Sequence, residues 1–207
     1  MRRSYCERCQ YPSVVCVCQF VKRIDNQTNI VVLQHPKESD HAKNTAKLAV
    51  LCFANIEVVR LPKSLTVDAP AIASLPTYSN EHQSALLYPS EHSSCIDDFL
   101  LRSVKATSQS NQGNPDSCLQ TLYVLDGSWR QAYAIFKSNS WLADLPQVHL
   151  RSIPEKKYEI RKSKSDHQLS TIEAIAYAIS EIEKRKTHVA IDLLTAFTEQ
   201  FQSFSKH

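Results

Sequence analysis

The sequence predicts an α/β fold in which a mostly parallel sheet is flanked by helices and preceded by a small cysteine-rich knuckle. Three observations carry this. Short apolar runs rich in β-branched residues alternate with stretches of helical periodicity, the order that builds parallel sheets. The best of these runs are apolar throughout, as strands covered on both faces are. Four of the seven cysteines crowd together near the start, ahead of the alternating region.

The elements follow in order. NIVVLQ, residues 29–34, reads as a strand ending at His35-Pro36. A helical stretch opens at Asn44 and runs to about Asn55, and IEVVRL, 56–61, is a second strand. After a loop of prolines and small polar residues, SALLY, 84–88, gives a third strand ending at Pro89-Ser90-Glu91, and Ser94 to Arg102 a short helix. ATSQSNQGNPDS, 106–117, has no apolar residue beyond its first alanine and reads as a mobile surface loop. LQTLYVL, 119–125, is the fourth strand, turning at Asp126-Gly127. Ser128 followed by Gln131 is an S-x-x-Q capping box, so a helix starts at once and runs to about Ser138. QVHL, 147–150, is a fifth strand. Two helices close the chain. The first carries Ile172, Ile175, Ile179 and Ile182 behind a second capping box, Ser170 with Glu173; the second carries Val189, Leu193, Phe197, Phe201 and Phe204. Both stripes read as core.

Composition narrows the function. A chain of 207 residues with 43% apolar residues can bury a real core. No apolar run is long enough to span a membrane and the first residues lack a signal-peptide core, so a cytoplasmic protein with no membrane partner is expected. The net charge of +3 says little by itself, but Arg2, Arg3, Arg8, Lys22 and Arg23 flank the first cysteines, and Arg161, Lys162 and Lys164 form a later basic cluster. With two glycines in the chain there is no P-loop and no G-x-G-x-x-G, so any nucleotide-like ligand is held another way.

Cys6, Cys9, Cys16 and Cys18 are spaced C-x2-C-x6-C-x-C, two close pairs joined by a short loop, which suits one tetrahedral zinc ion. Four thiolates leave no open position, so such a metal is structural. Cys52, Cys95 and Cys118 are scattered and read as small apolar fillers. Residues 1–25 are thus expected to form a zinc-binding knuckle and 26–207 the main domain. Asp126 falls at a strand's carboxyl end, where open α/β sheets bind ligands, and Gly127 would let a ligand approach the backbone there. From local pattern alone Asp126 reads equally as a turn residue, Ser128 as an N-cap and Trp129 as core.

Taken together, the cysteine cluster, His35-Pro36-Lys37-Glu38 with Asn44-Thr45-Ala46, Tyr88-Pro89-Ser90-Glu91, Asp126-Gly127-Ser128-Trp129, Tyr158-Glu159-Ile160-Arg161 and Leu169-Ser170-Thr171-Ile172-Glu173-Ala174 resemble the DTW-domain family. The likeness extends over nearly the whole chain. Ser128 stands where the D-x-T-W pattern has threonine; the hydroxyl, and with it the cap, is kept. The resemblance implies transfer of the 3-amino-3-carboxypropyl group from S-adenosylmethionine to N3 of a tRNA uridine, at position 47 of the variable loop in bacterial members, with release of 5′-methylthioadenosine. It also implies a SPOUT-like fold with a C-terminal knot. On this reading Asp126 takes the imide proton, shielded by apolar Trp129. Cofactor or tRNA contacts are expected from Glu38, Asn44, Thr45, Pro89, Ser90, Glu91, Gly127, Ser128, Trp129, Arg161, Ser170, Thr171 and Glu173. Trp129 or Tyr88 would stack the target base. Two rivals stay open: an S-adenosylmethionine-dependent RNA methyltransferase, and a non-enzymatic zinc-knuckle RNA-binding protein.

Overall fold

The computed structural model describes residues 4–39, 41, 43–67, 84–109, 119–152 and 169–204. Six strands form one sheet: β1 (Asn29–Gln34), β2 (Ile56–Arg60), β3 (Ser84–Leu87), β4 (Ser94–Cys95), β5 (Thr121–Asp126) and β6 (Gln147–His149). Their order is β2-β1-β5-β3-β6-β4, and every neighbouring pair is parallel. The helices are α1 (Pro36–Ser39), α2 (Ala46–Cys52), α3 (Ile96–Gln109), α4 (Trp129–Ser138), α5 (Thr171–Glu183) and α6 (His188–Phe204).

Strand alternation divides the core in two. Ile30, Val32, Leu122, Val124, Ala85 and Val148 face a large cluster built by α2, α3, α5 and α6. Val31, Leu33, Leu86 and Tyr123 face the opposite side, where α4 supplies Ile135 and the turn after it Leu142. This double coverage is why NIVVLQ is apolar at consecutive positions. The predicted stripes lie in the core through Ile172, Ile175, Ile179 and Ile182 on α5 and Leu193, Phe197 and Phe201 on α6, but Phe204, expected to extend the second, is 48% exposed at the end of its helix.

Several expectations need correction. The helix expected to stop at Arg102 continues to Gln109, so residues 106–109 of the anticipated loop are helical; 110–118 lie outside the described residues. α2 covers only Ala46–Cys52, because Asn44 caps it from outside and Phe53 is extended. Ser94–Cys95, expected to begin a helix, pair with β6 as a two-residue strand.

The knuckle is welded to the main core. Cys9, Tyr11, Val15 and Val17 belong to the same buried cluster as α2, α5 and α6. The Tyr11 ring packs on Phe197 and Phe201, with centroids 4.8 and 6.3 Å away, and its hydroxyl donates to the Asn44 carbonyl.

Candidate active site

The chain runs outward from β1 to β2, crosses to β3 and β4, and then returns β5 between β1 and β3. The strand order therefore reverses about β5, and in open α/β sheets ligands bind outside the carboxyl ends of the strands at such a switch point. β5 ends on Asp126, whose register partner is Gln34 at the end of β1. Both side chains fall on the α5 side of the sheet by alternation. Gln34 Nε2 donates to Asp126 Oδ2 at 2.8 Å, and the Thr171 hydroxyl, in the first turn of α5, donates to Oδ1. Only 5% of Asp126 is exposed. Trp129, expected as its apolar shield, is 47% exposed and meets Tyr88 edge-on at 6.3 Å between centroids.

The predicted capping box after Asp126 is present. Ser128 Oγ accepts from the Gln131 amide, and Gln131 Oε1 accepts from the Ser128 amide at 2.6 Å. This explains Gly127. A Cβ there would sit 2.8 Å from Gln131 Cβ and 3.5 Å from His35 Cβ, so the close approach at this glycine is made by the protein's own side chains. Gly127→Ala is expected to cost about 1–3 kcal/mol by overpacking against the capping residue. Urea denaturation checks it; an unchanged midpoint would show that Gln131 can move away.

The other expected residues divide by burial. Glu173 is fully buried, and its Oε2 accepts from the Ser170 amide and hydroxyl at 2.8 and 2.7 Å, so this pair caps α5. Glu38 and Thr45 are also buried. Asn44, buried beside them, donates to the Glu38 carbonyl and accepts from the Ala46 amide, tying α1 to α2. Ser90 donates to Gln147 Oε1 at 2.6 Å. Pro89, Glu91 and Ser128 are exposed, and Arg161 lies outside the described residues. Burial and Lys37 lower the His35 pKa, and its Nδ1 accepts from the Lys37 amide in the turn after β1.

Sequence reading missed three polar residues at these strand ends. Gln34 contacts Asp126 directly, Gln147 holds Ser90, and His149 Nδ1 lies 2.9 Å from the Ser93 hydroxyl. The available signal was the polar side chain closing the apolar run NIVVLQ and the two polar side chains flanking Val148 in QVHL.

The four knuckle cysteines converge as their spacing predicts, with all Sγ atoms within 4.8 Å of one another. Cys6 and Cys18 are 3.7 Å apart and Cys9 and Cys16 3.8 Å, far longer than a disulfide. Four sulfurs around one zinc at about 2.3 Å would be separated by about 3.8 Å. The amides of Cys9 and Arg8 pull the Cys6 thiol down to about 6, favouring the thiolate, whereas burial pushes Cys18 up to about 12, a cost a bound cation would offset. The donor set fits a structural zinc.

Comparison with known proteins shows which chains this one is similar to. The chain is 28% identical over 186 residues to tRNA-uridine aminocarboxypropyltransferase 2 of Macaca fascicularis, covering 88% of this chain and 58% of the relative. It is 30% identical to the Drosophila melanogaster protein of the same name, over 89% of this chain and 68% of the relative. Against tRNA-uridine aminocarboxypropyltransferase A of Arabidopsis thaliana it is 25% identical over its whole length and 83% of the relative. The chain spans 58% of the length of the macaque and mouse relatives. No solved structure matches it. The DTW domain family model matches residues 3–205, from just before the cysteine cluster to the end of α6, and the chain therefore belongs to the DTW domain family.

Proposed function

We propose that this protein transfers the 3-amino-3-carboxypropyl group of S-adenosylmethionine to N3 of a tRNA uridine. The observation that carries the reading is Asp126, held by Gln34 and Thr171 at the switch point of a parallel sheet in a DTW domain chain. Asp126 accepts the N3 proton as nitrogen attacks the methionine Cγ. The N3–Cγ bond forms, the Cγ–S bond breaks with its electron pair passing to sulfur, and neutral 5′-methylthioadenosine leaves. The sulfonium is already a good leaving group, so most of the acceleration is positional: Cγ in line with N3, methyl turned away.

The same reading gives the cysteine cluster a structural zinc, makes 1–25 the knuckle and 26–207 the catalytic domain, places the protein in the cytoplasm with its tRNA, and extends to the knotted SPOUT-like path implied by the family resemblance. The all-parallel sheet is compatible with that path. Exposed Arg8, Lys22 and Arg23 near the cysteines are set to meet tRNA phosphates. If those three do so, log affinity falls with log salt with a slope of about −2 to −3 from them alone. A flat salt series would remove the assignment.

The deciding experiment incubates purified protein with tRNA and S-adenosylmethionine and analyses nucleosides and by-products by mass spectrometry. Aminocarboxypropyl-uridine with 5′-methylthioadenosine is expected. S-adenosylhomocysteine would mean methyl transfer, and tRNA binding without turnover would leave an RNA-binding module.

A further inference from the structure

We infer that the outward face of α4 is an RNA-binding surface that stacks an unpaired tRNA base next to the candidate active site; this rests on the reading of the protein as a tRNA-modifying enzyme. At 3.6 residues per turn, Trp129, Arg130, Tyr133 and Lys137 fall within an arc of about 100°. All four are exposed, Tyr133 at 53%, while Ala132 and Ile135 bury the opposite side. The helix carries two cations and no carboxylate. Lys137 Nζ lies 5.7 Å from the Tyr133 ring centroid, so a charge for phosphate sits over a ring able to stack a base.

Aromatic packing supports this face from beneath. Tyr88, at the end of β3, stacks on Phe136 at 5.0 Å with 7° between planes and meets Trp129 edge-on. One Tyr88 face is thereby used internally, which leaves Trp129 and Tyr133 as the rings offered to solvent. Trp129 sets one end of this face three residues after Asp126, and Tyr133 extends it by one turn along α4, on the side of the sheet opposite the Asp126 side chain. Aromatic faces alternating with cations that have no carboxylate on their own helix complement a polyanion with unstacked bases better than a neutral protein surface.

The test compares wild type with Tyr133→Ala, Tyr133→Phe and the double variant Arg130→Ala/Lys137→Ala, using unfractionated tRNA in filter binding. These positions are exposed, so thermal melts should match wild type. Tyr133→Ala should weaken tRNA binding about tenfold, Tyr133→Phe should restore it, and the double variant should make the salt slope shallower by about two, with S-adenosylmethionine binding by equilibrium dialysis unchanged throughout. Full tRNA affinity in Tyr133→Ala, with wild type binding normally, overturns the assignment of this face alone. Wild type that fails to bind tRNA overturns the tRNA-modifying reading itself. Loss of binding to phosphatidylserine vesicles in Tyr133→Ala with unchanged tRNA affinity would assign the face to a lipid surface and likewise overturn the proposal.

Discussion

Asp126→Asn is expected to lower the rate of the proposed aminocarboxypropyl transfer by about 10²–10⁴-fold, the usual contribution of a positioned general base, while leaving the fold and S-adenosylmethionine affinity close to wild type. The asymmetry comes from the neighbours. Gln34 and Thr171 both donate to the carboxylate in the native protein. An asparagine presents one acceptor and one donor, and either neighbour can adapt: the Gln34 amide can turn its oxygen inward, or the Thr171 hydroxyl can rotate to accept. Shape and burial at the strand end are kept, but an amide cannot take the N3 proton at neutral pH. The loss should appear in kcat, with KM for S-adenosylmethionine little changed. Single-turnover assays with saturating tRNA, beside thermal melts and equilibrium dialysis, separate the effects. Near-normal product formation by a well-folded variant would exclude Asp126 as the base.

The legible parts of this site were those written in adjacent residues. The Ser128–Gln131 and Ser170–Glu173 boxes announce their helices because each cap is a local exchange of two hydrogen bonds. β1 was readable because burial on both faces leaves it continuously apolar. What stayed hidden is non-local or marginal. The pairing of Gln34 with Asp126 depends on β5 being inserted between β1 and β3, which no window of sequence records. β4 is two residues long and has no periodicity to detect. α3 outruns its apolar stripe through Ala106 to Gln109, where adding a residue to an existing helix costs little although nothing in the pattern asks for it. The approach of Gln131 to Gly127 is visible only once the turn is built.

Loss of the metal from the knuckle should destabilise the whole domain and not merely its first residues. Zinc would hold Cys6, Cys9, Cys16 and Cys18, and the short segments between them deliver Tyr11, Val15 and Val17 into the main core. At about 1.5–3 kcal/mol for each fully buried large side chain, releasing these three costs on the order of 5 kcal/mol. For a domain of this size each kcal/mol shifts Tm by about 2–4 °C, so Cys9→Ser or exhaustive chelation should lower Tm by roughly 10–20 °C. Cys9 is the instructive position because its side chain is buried, whereas scattered Cys52 is buried outside the cluster and serves as the control: Cys52→Ala should reduce stability without changing metal content. The damage should also reach the candidate site. The Tyr11 hydroxyl holds the Asn44 carbonyl, and the Asn44 side chain bridges α1 and α2 beside Glu38, so a loosened knuckle should weaken the Asn44 ties between α1, which follows β1, and α2. Metal analysis of the purified protein should find about one zinc per chain, released in proportion to the fall in Tm. Full stability of the chelated protein, with no stoichiometric metal in the native one, would reduce the four cysteines to packing residues.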